Sequence, residues 1–486
     1  MERKNIYMCM LAALLSCSDS VKVSRTLDEM PVIFPDYNGV VIPPNIAPLN
    51  FALNDQDAGS CAVFSFGGQQ FEVKGEKGGF VIPPSKWKKL LESATGNSIQ
   101  VTVQVKQGNE WVAYSPFTIQ VAAEKIDSYL AYRLIDPGYE LWNKMGIYQR
   151  DLESYTQTPI IENKMSGNNC VNCHSFCMQN PDKMLFHMRE TFPGTILVDG
   201  DKIEKLNTKT RETISSLVYP SWHPSGKYVA FSVNTTKQAF HLNDKNRVEV
   251  YDEASDVVVY DVEKHEIVTA STIFSKDAFE TFPTFSPDGK TLYFCTAEAR
   301  PIPQEYSEVK YNLCSISFDP ATRTFGTQVD TLYNAKSGGM SASFPRVSPD
   351  GRYLLYTLSG YGNFSIWHKD ADLYMTDLQI GTSRPLAEVN SDDVESYHSW
   401  SSNSRWFVFS SRRIDGLYTR PYIAYVGEDG KVGKPFLLPQ KDVGFYPSFM
   451  KSFNIPEFIT GKVKVQGRAL AIKAKEDKGT DVRFAK

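Results

Sequence analysis

Three segments of this 486-residue chain carry one pattern: Tyr219 to Phe231 (YPSWHPSGKYVAF), Phe282 to Phe294 (FPTFSPDGKTLYF) and Phe344 to Tyr356 (FPRVSPDGRYLLY). Each has an aromatic residue, a proline, a short apolar run, a Pro-Asp-Gly or Pro-Ser-Gly turn and a second apolar run. Proline presets the backbone angle of a turn and glycine relieves crowding at its end, so each copy reads as a β-hairpin. Tyr397 to Phe409 is a degenerate copy, and Tyr446-Pro447 in FYPSFM reads as a fifth. Further hairpins lie between the copies, starting near Asp256, Asp372 and Tyr422. Two hairpins per unit is the composition of a propeller blade, so the repeat predicts an all-β chain built around a ring of blades.

The segment from Asn172 to Met188 fits the same frame, with a strand starting at His174, a turn at 180–183 and a return strand. No partner strands follow FYPSFM, so the upstream strands YLAYRLI, MGIYQRDL and QTPII are expected to complete a sixth blade and close the ring between the two ends of the chain. With Ser286 to Lys290 and Ser348 to Arg352 as its best matches, the repeat resembles that of TolB-type propellers over residues 125–465. The resemblance implies a six-bladed β-propeller and leaves function open. Residues 36–122 differ, with alternating strands such as SIQVTVQVK and FTIQVAA and one helical stretch, SKWKKLLESA; they read as a small immunoglobulin-like β-sandwich. Residues 466–486 read as a charged tail, either a last strand pair or a frayed end.

The first seventeen residues carry Arg3 and Lys4, an apolar stretch from Ile6 to Leu15, then Ser16 and Cys17. The stretch is too short to span a bilayer and reads as an export signal. Leu14 to Cys17 resembles a bacterial lipobox, which implies cleavage before Cys17 and lipid attachment to it. Residues 18–35 then read as a tether, and the expected location is the outer membrane, on its periplasmic or outer side. The net charge of -4 gives no general attraction to nucleic acid.

Cys170, Cys173 and His174 form the spacing C-x-x-C-H, followed by Cys177. Two thiols and a following histidine are what covalent attachment and axial ligation of haem c require. His187 is the candidate for the opposite ligand, with Met165, Met178, Met184 and Met188 as alternatives. In an exported chain the same cysteines also read as a disulfide, and C-x-x-C-H-x-x-C offers four zinc ligands. All three readings stay open on sequence.

The links between second and third strands of the blades are long and lie at one end of the hairpins, so one face of the ring carries the elaborate loops, where binding residues usually sit. Two polar clusters fall there: His368 and Asp370 beside Trp367, and Arg412, Arg413, Tyr418 and Arg420. Guanidinium forks match carboxylates, so the second cluster is a candidate clamp for an acidic glycan or an envelope protein; the same arginines also read as salt-bridge partners of Asp392, Asp393 and Glu395. Phosphate-loop, dinucleotide and H-E-x-x-H patterns are absent, and no nucleophile elbow is complete. The expected function is therefore a binding or scaffold module, with haem-based electron transfer, a carbohydrate-active propeller and a haem-free scaffold as competing forms.

Overall fold

The structure is a computed structural model that describes residues 22–54, 59–137 and 144–485. The chain is mostly β, with two sheets in its N-terminal part and a propeller-type arrangement of sheets after it. Cys17 lies outside the described residues.

In the N-terminal part, Ser98–Gln107 is the central strand, flanked by Phe117–Val121, Glu110–Ala113 and Ser60–Phe66. Its alternation puts Ile99, Val101, Val103 and Val105 inside. A three-stranded sheet (Ile33–Phe34, Phe51–Leu53, Gly79–Phe80) lies apart from it, and both contribute to one core with the helix Pro84–Ala94. That helix starts on a proline, whose missing N–H costs nothing in the first turn, and it buries Trp87, Leu90, Leu91 and Ala94 at helical spacing. The expected tether is shorter than 18–35: Val23–Thr26 pairs in parallel with Glu110–Ala113, and Ile33–Phe34 pairs with Phe51–Leu53.

Six further sheets follow. Four are built from consecutive antiparallel strands, with inner strands Leu217–Trp222, Ala278–Phe285, Ser341–Val347 and Glu395–Trp400. One more begins with Cys170–Phe176, earlier than the expected start at His174. The last joins Tyr129–Ile135, Gly146–Asp151 and Gln157–Glu162 to a C-terminal inner strand. Closure between the chain ends takes the form read from the sequence, but with a different strand. Phe445–Ser448 is a single helical turn whose Tyr446 is buried, and the inner strand is Ser452–Ile459, antiparallel to Tyr129–Ile135. Each inner strand packs on the next, and Ser452–Ile459 returns to Cys170–Phe176.

One irregularity recurs six times. In every inner strand two residues oppose a single aromatic residue of the neighbouring strand, and the first of the two has positive φ. The pairs are Cys173-His174, Tyr219-Pro220, Phe282-Pro283, Phe344-Pro345, Tyr397-His398 and Ile455-Pro456, the first residue of each at φ between 49° and 52°. Tyr132, Phe186, Phe231, Phe294, Tyr356 and Phe409 oppose them and are fully buried. This is a β-bulge, which bends the strand and re-aims its side chains.

The tail is structured. Gly467–Ala474 is a helix burying Leu470, Ala471 and Ala474, and the Lys205 ammonium donates to the carbonyls of Ala474 and Glu476 at 2.9 and 2.8 Å, a cation at the negative end of the helix. Thr480–Asp481 and Arg483–Phe484 then add as parallel outer strands to two adjacent sheets. The N-terminal part shares its core with three sheets, those that begin with Ser341–Val347 and Glu395–Trp400 and the closing one; between the last two, Arg150 bridges to Pro439 O at 2.8 Å and Gln440 Oε1 at 3.0 Å.

Candidate functional site: a cationic cavity above an aromatic constriction

The first residues of the bulges gather where the inner strands converge. Ring centroids of Tyr219 and Phe282 are 4.9 Å apart, those of Phe282 and Phe344 4.0 Å, and those of Phe344 and Tyr397 4.9 Å. Cys173 and Ile455 occupy the two remaining positions. Cys173, Tyr219, Tyr397 and Ile455 line a cavity on either side of this constriction, which makes it the wall between them.

The cavity on the loop face has a volume of about 380 Å³, within the ~300–1,000 Å³ usual for small-molecule sites. Its walls are the ends of second strands and the loops after them: Arg133, Arg189, Lys237, Trp367 and Arg412. The one carboxylate among its lining residues, Asp136, is held by Lys451 at 2.6 Å. Arg133, Arg189 and Arg412 make no ion pair among the described residues. Arg412 is 8% exposed, its Nε has no hydrogen-bond partner, and its guanidinium lies 4.1 Å from the centre of the Trp367 ring. Burial lowers its pKa to about 10, against the pull of Asp393 and Asp415. Three guanidiniums converging over an aromatic floor can accept carboxylate, sulfate or phosphate oxygens.

Of the four residues expected in the basic cluster, only Arg412 reaches this cavity. Arg413 donates to Glu395 Oε1 at 2.8 Å and Ser411 Oγ at 3.0 Å. Arg420 is fully buried, donating to the carbonyls of Lys451 and Phe449 at 2.7 Å each, and Tyr418 stacks on it. A carboxylate clamp of Arg413, Tyr418 and Arg420 is therefore replaced by structural anchoring. His368 is also internal: its Nε2 meets Glu249 Oε2 at 3.1 Å, with both side chains buried, and Asp370 accepts from the Gly360 amide at 3.2 Å. Arg133 and Arg189 carry no motif of their own; their only signal is their position at strand ends in the repeat frame.

Cys173 and His174 take the places that an aromatic residue and proline hold in other copies. A porphyrin does not fit the residues so arranged. His174 lines the second cavity, of about 150 Å³, well below the usual small-molecule range, and Cys170 is not among the residues lining it. His187 lies on the adjacent strand of the same sheet, its Nδ1 3.3 Å from Thr195 Oγ1, so it faces no common space opposite His174. Met184 and Met188 are buried in the core between sheets. Burial lowers His174 and His187 to about 3, keeping both neutral. Cys170, Cys173 and Cys177 are free, buried thiols, and no set of three or more His, Cys, Asp or Glu side chains is arranged to hold a metal among the described residues.

No protein-family profile and no curated sequence matches the chain. Solved structures with similarity include prolyl oligopeptidase B from Galerina marginata (10% identity, TM-score 0.35, covering 68% of this chain and 42% of that one). A DUF4784 family protein from Bacteroides caccae is 6% identical with TM-score 0.31, covering 74% and 95%. The tricorn protease is 10% identical with TM-score 0.28, covering 74% and 36%. The chain thus spans less than half the length of that oligopeptidase.

Proposed function

We propose that this protein is a binding module of the cell envelope, a six-bladed TolB-like propeller with an immunoglobulin-like sandwich, tethered through lipid on Cys17, whose loop-face cavity binds an acidic glycan. The observation that carries the ligand class is the set of three guanidiniums, Arg133, Arg189 and Arg412, around one cavity and without ion-pair partners among the described residues. Trp367, Tyr219 and Tyr397 add aromatic faces suited to the apolar face of a sugar ring, so a uronic acid satisfies both halves of the site. Haem-based electron transfer is not part of this reading, because the thiols and histidine lack a space for the group.

The test is calorimetric titration with oligogalacturonate and with its neutral methyl ester. The acid is expected to bind, more weakly as salt rises, and the ester to bind at least ten times more weakly. Arg412→Ala should cost ~10- to 100-fold, the range for a charge-assisted hydrogen bond. Equal binding of acid and ester would overturn the assignment.

A further inference from the structure

The cavity on the other side of the constriction is built from the third residue of each repeat, the one after the bulge pair. These are Ser175, Ser221, Thr284, Arg346, Ser399 and Glu457, and all six line it. Four hydroxyls, one guanidinium and one carboxyl therefore surround the axis at one level. The hydroxyls are those of small residues that leave room at the centre, and the two long side chains, one basic and one acidic, come from different sheets; burial raises the Glu457 carboxyl to about 8, so a cation brought against it is what favours its ionised form at neutral pH.

Arg346 and Glu457 are close enough to feel each other's charge, but they do not form an ion pair. The Arg346 Nη1 donates to its neighbour's carbonyl, Pro345 O, at 2.9 Å. One Glu457 oxygen accepts from the Phe176 amide at 2.9 Å, and its other oxygen has no hydrogen bond among the described residues. Complementary groups held apart across a polar space call for something between them. A second observation agrees: among the described residues His174 and His398, both buried and both lining the cavity, make no well-formed hydrogen bond at either ring nitrogen, and only backbone groups of Ile455 beside His174 and of Phe344 and Leu355 beside His398 act on them, which leaves them incompletely satisfied.

We propose that this cavity binds a small zwitterion of α-amino acid size, its carboxylate received by Arg346 and its ammonium by Glu457. The volume of about 150 Å³ matches that of an engineered cavity that holds benzene, so glycine, alanine and serine fit and large side chains do not. The guanidinium fork takes both carboxylate oxygens, the free Glu457 oxygen takes an ammonium proton, and the surrounding hydroxyls and imidazoles have donors and acceptors for the rest. The site opens between the turn prolines Pro224, Pro287 and Pro349, on the face opposite the cationic cavity, and its occupancy is independent of the glycan reading.

Calorimetric titration of the full chain with glycine, L-alanine and L-serine tests this, beside N-acetyl-L-serine and L-serine amide, each of which lacks one of the two charges. Saturable binding of at least one free amino acid is expected, with at least a tenfold loss for each blocked form. Arg346→Met and Glu457→Gln should each lose at least tenfold, whereas Arg412→Ala should bind the amino acid unchanged. No saturable binding of any of the three amino acids to the unaltered protein, or blocked forms that bind as well as serine, would overturn the proposal. The blocked ligands are read on the unaltered protein, so a variant that fails to fold leaves the outcome decided.

Discussion

At the scale of single residues, chemistry here is decided by partners that arrive from other sheets. Arg412 and Arg413 are adjacent, yet Glu395 and Ser411 engage the second and leave the first facing the cavity. Residue type made the cluster visible in the sequence, but which arginine stays free depends on strands folded beside it. The same holds for Glu280, whose Oε2 is buried without a partner. Burial first, then the nearby Asp256 charge, raise its pKa to about 8, against about 4.3 for an unperturbed glutamate. The folded state thus keeps a proton that the unfolded chain releases. Its contribution is complete below pH ~4.3 and disappears as pH rises through about 8. Glu280→Gln should therefore lose less stability than the parent between pH 6 and 9, by a few kcal/mol at most, as read by thermal unfolding at each pH. Parallel pH profiles for the two proteins would refute this.

Elements were the most legible level. Pro-Asp-Gly turns announce hairpins because the conformation they need is local: Gly289 sits at φ 72° and the Asp288 carboxylate accepts from the Lys290 amide at 3.0 Å. The closing strand was hidden because its signal is not local. Ser452–Ile459 has the bulge pair Ile455-Pro456 but no following turn, since its partner lies near the other end of the chain. FYPSFM imitates the aromatic-proline pair and folds instead as a turn of helix, with Tyr446 Oη donating to Leu438 O at 2.6 Å. Charge marks the tail in the sequence but cannot choose between a strand pair and a frayed end, because backbone pairing to exposed edges is indifferent to charge. Thr480–Asp481 and Arg483–Phe484 cover the outer edges of two sheets, which otherwise present unpaired amides and carbonyls. Truncation after Lys475 is expected to lower the melting temperature by a few degrees and to promote self-association, measured by calorimetry and light scattering. A truncated chain as monomeric and stable as the parent would show that these edges need no cover.

On the scale of the whole molecule, the ring depends on its last inner strand. Tyr129–Ile135 and Ser452–Ile459 pair across as many as 330 residues, counted from Tyr129 to Ile459, and Phe453 and Phe458 belong to the core shared with the N-terminal part. A chain ending at Lys451 is expected to lose its cooperative unfolding transition, and a synthetic peptide of residues 452–465 added in excess should restore it by supplying the strand. A sharp transition without the peptide would mean that the other five sheets hold together unaided. The all-β class and the ring were readable from periodicity. The two cavities were not, because each assembles side chains from several sheets that no stretch of sequence brings together.

The shared sixth sheet also sets an order of events. A chain made from its N-terminus produces Tyr129–Ile135 early, then every other sheet of the ring, and only near its end the strand that seats against it. Until that moment the inner edge of Tyr129–Ile135 is unsatisfied and both axial cavities lack a wall: Asn454 and Ile455 on one side, Pro456 and Glu457 on the other. Ligand recognition on either face is thus coupled to the synthesis of Ser452–Ile459, and a product terminated before that strand has neither site.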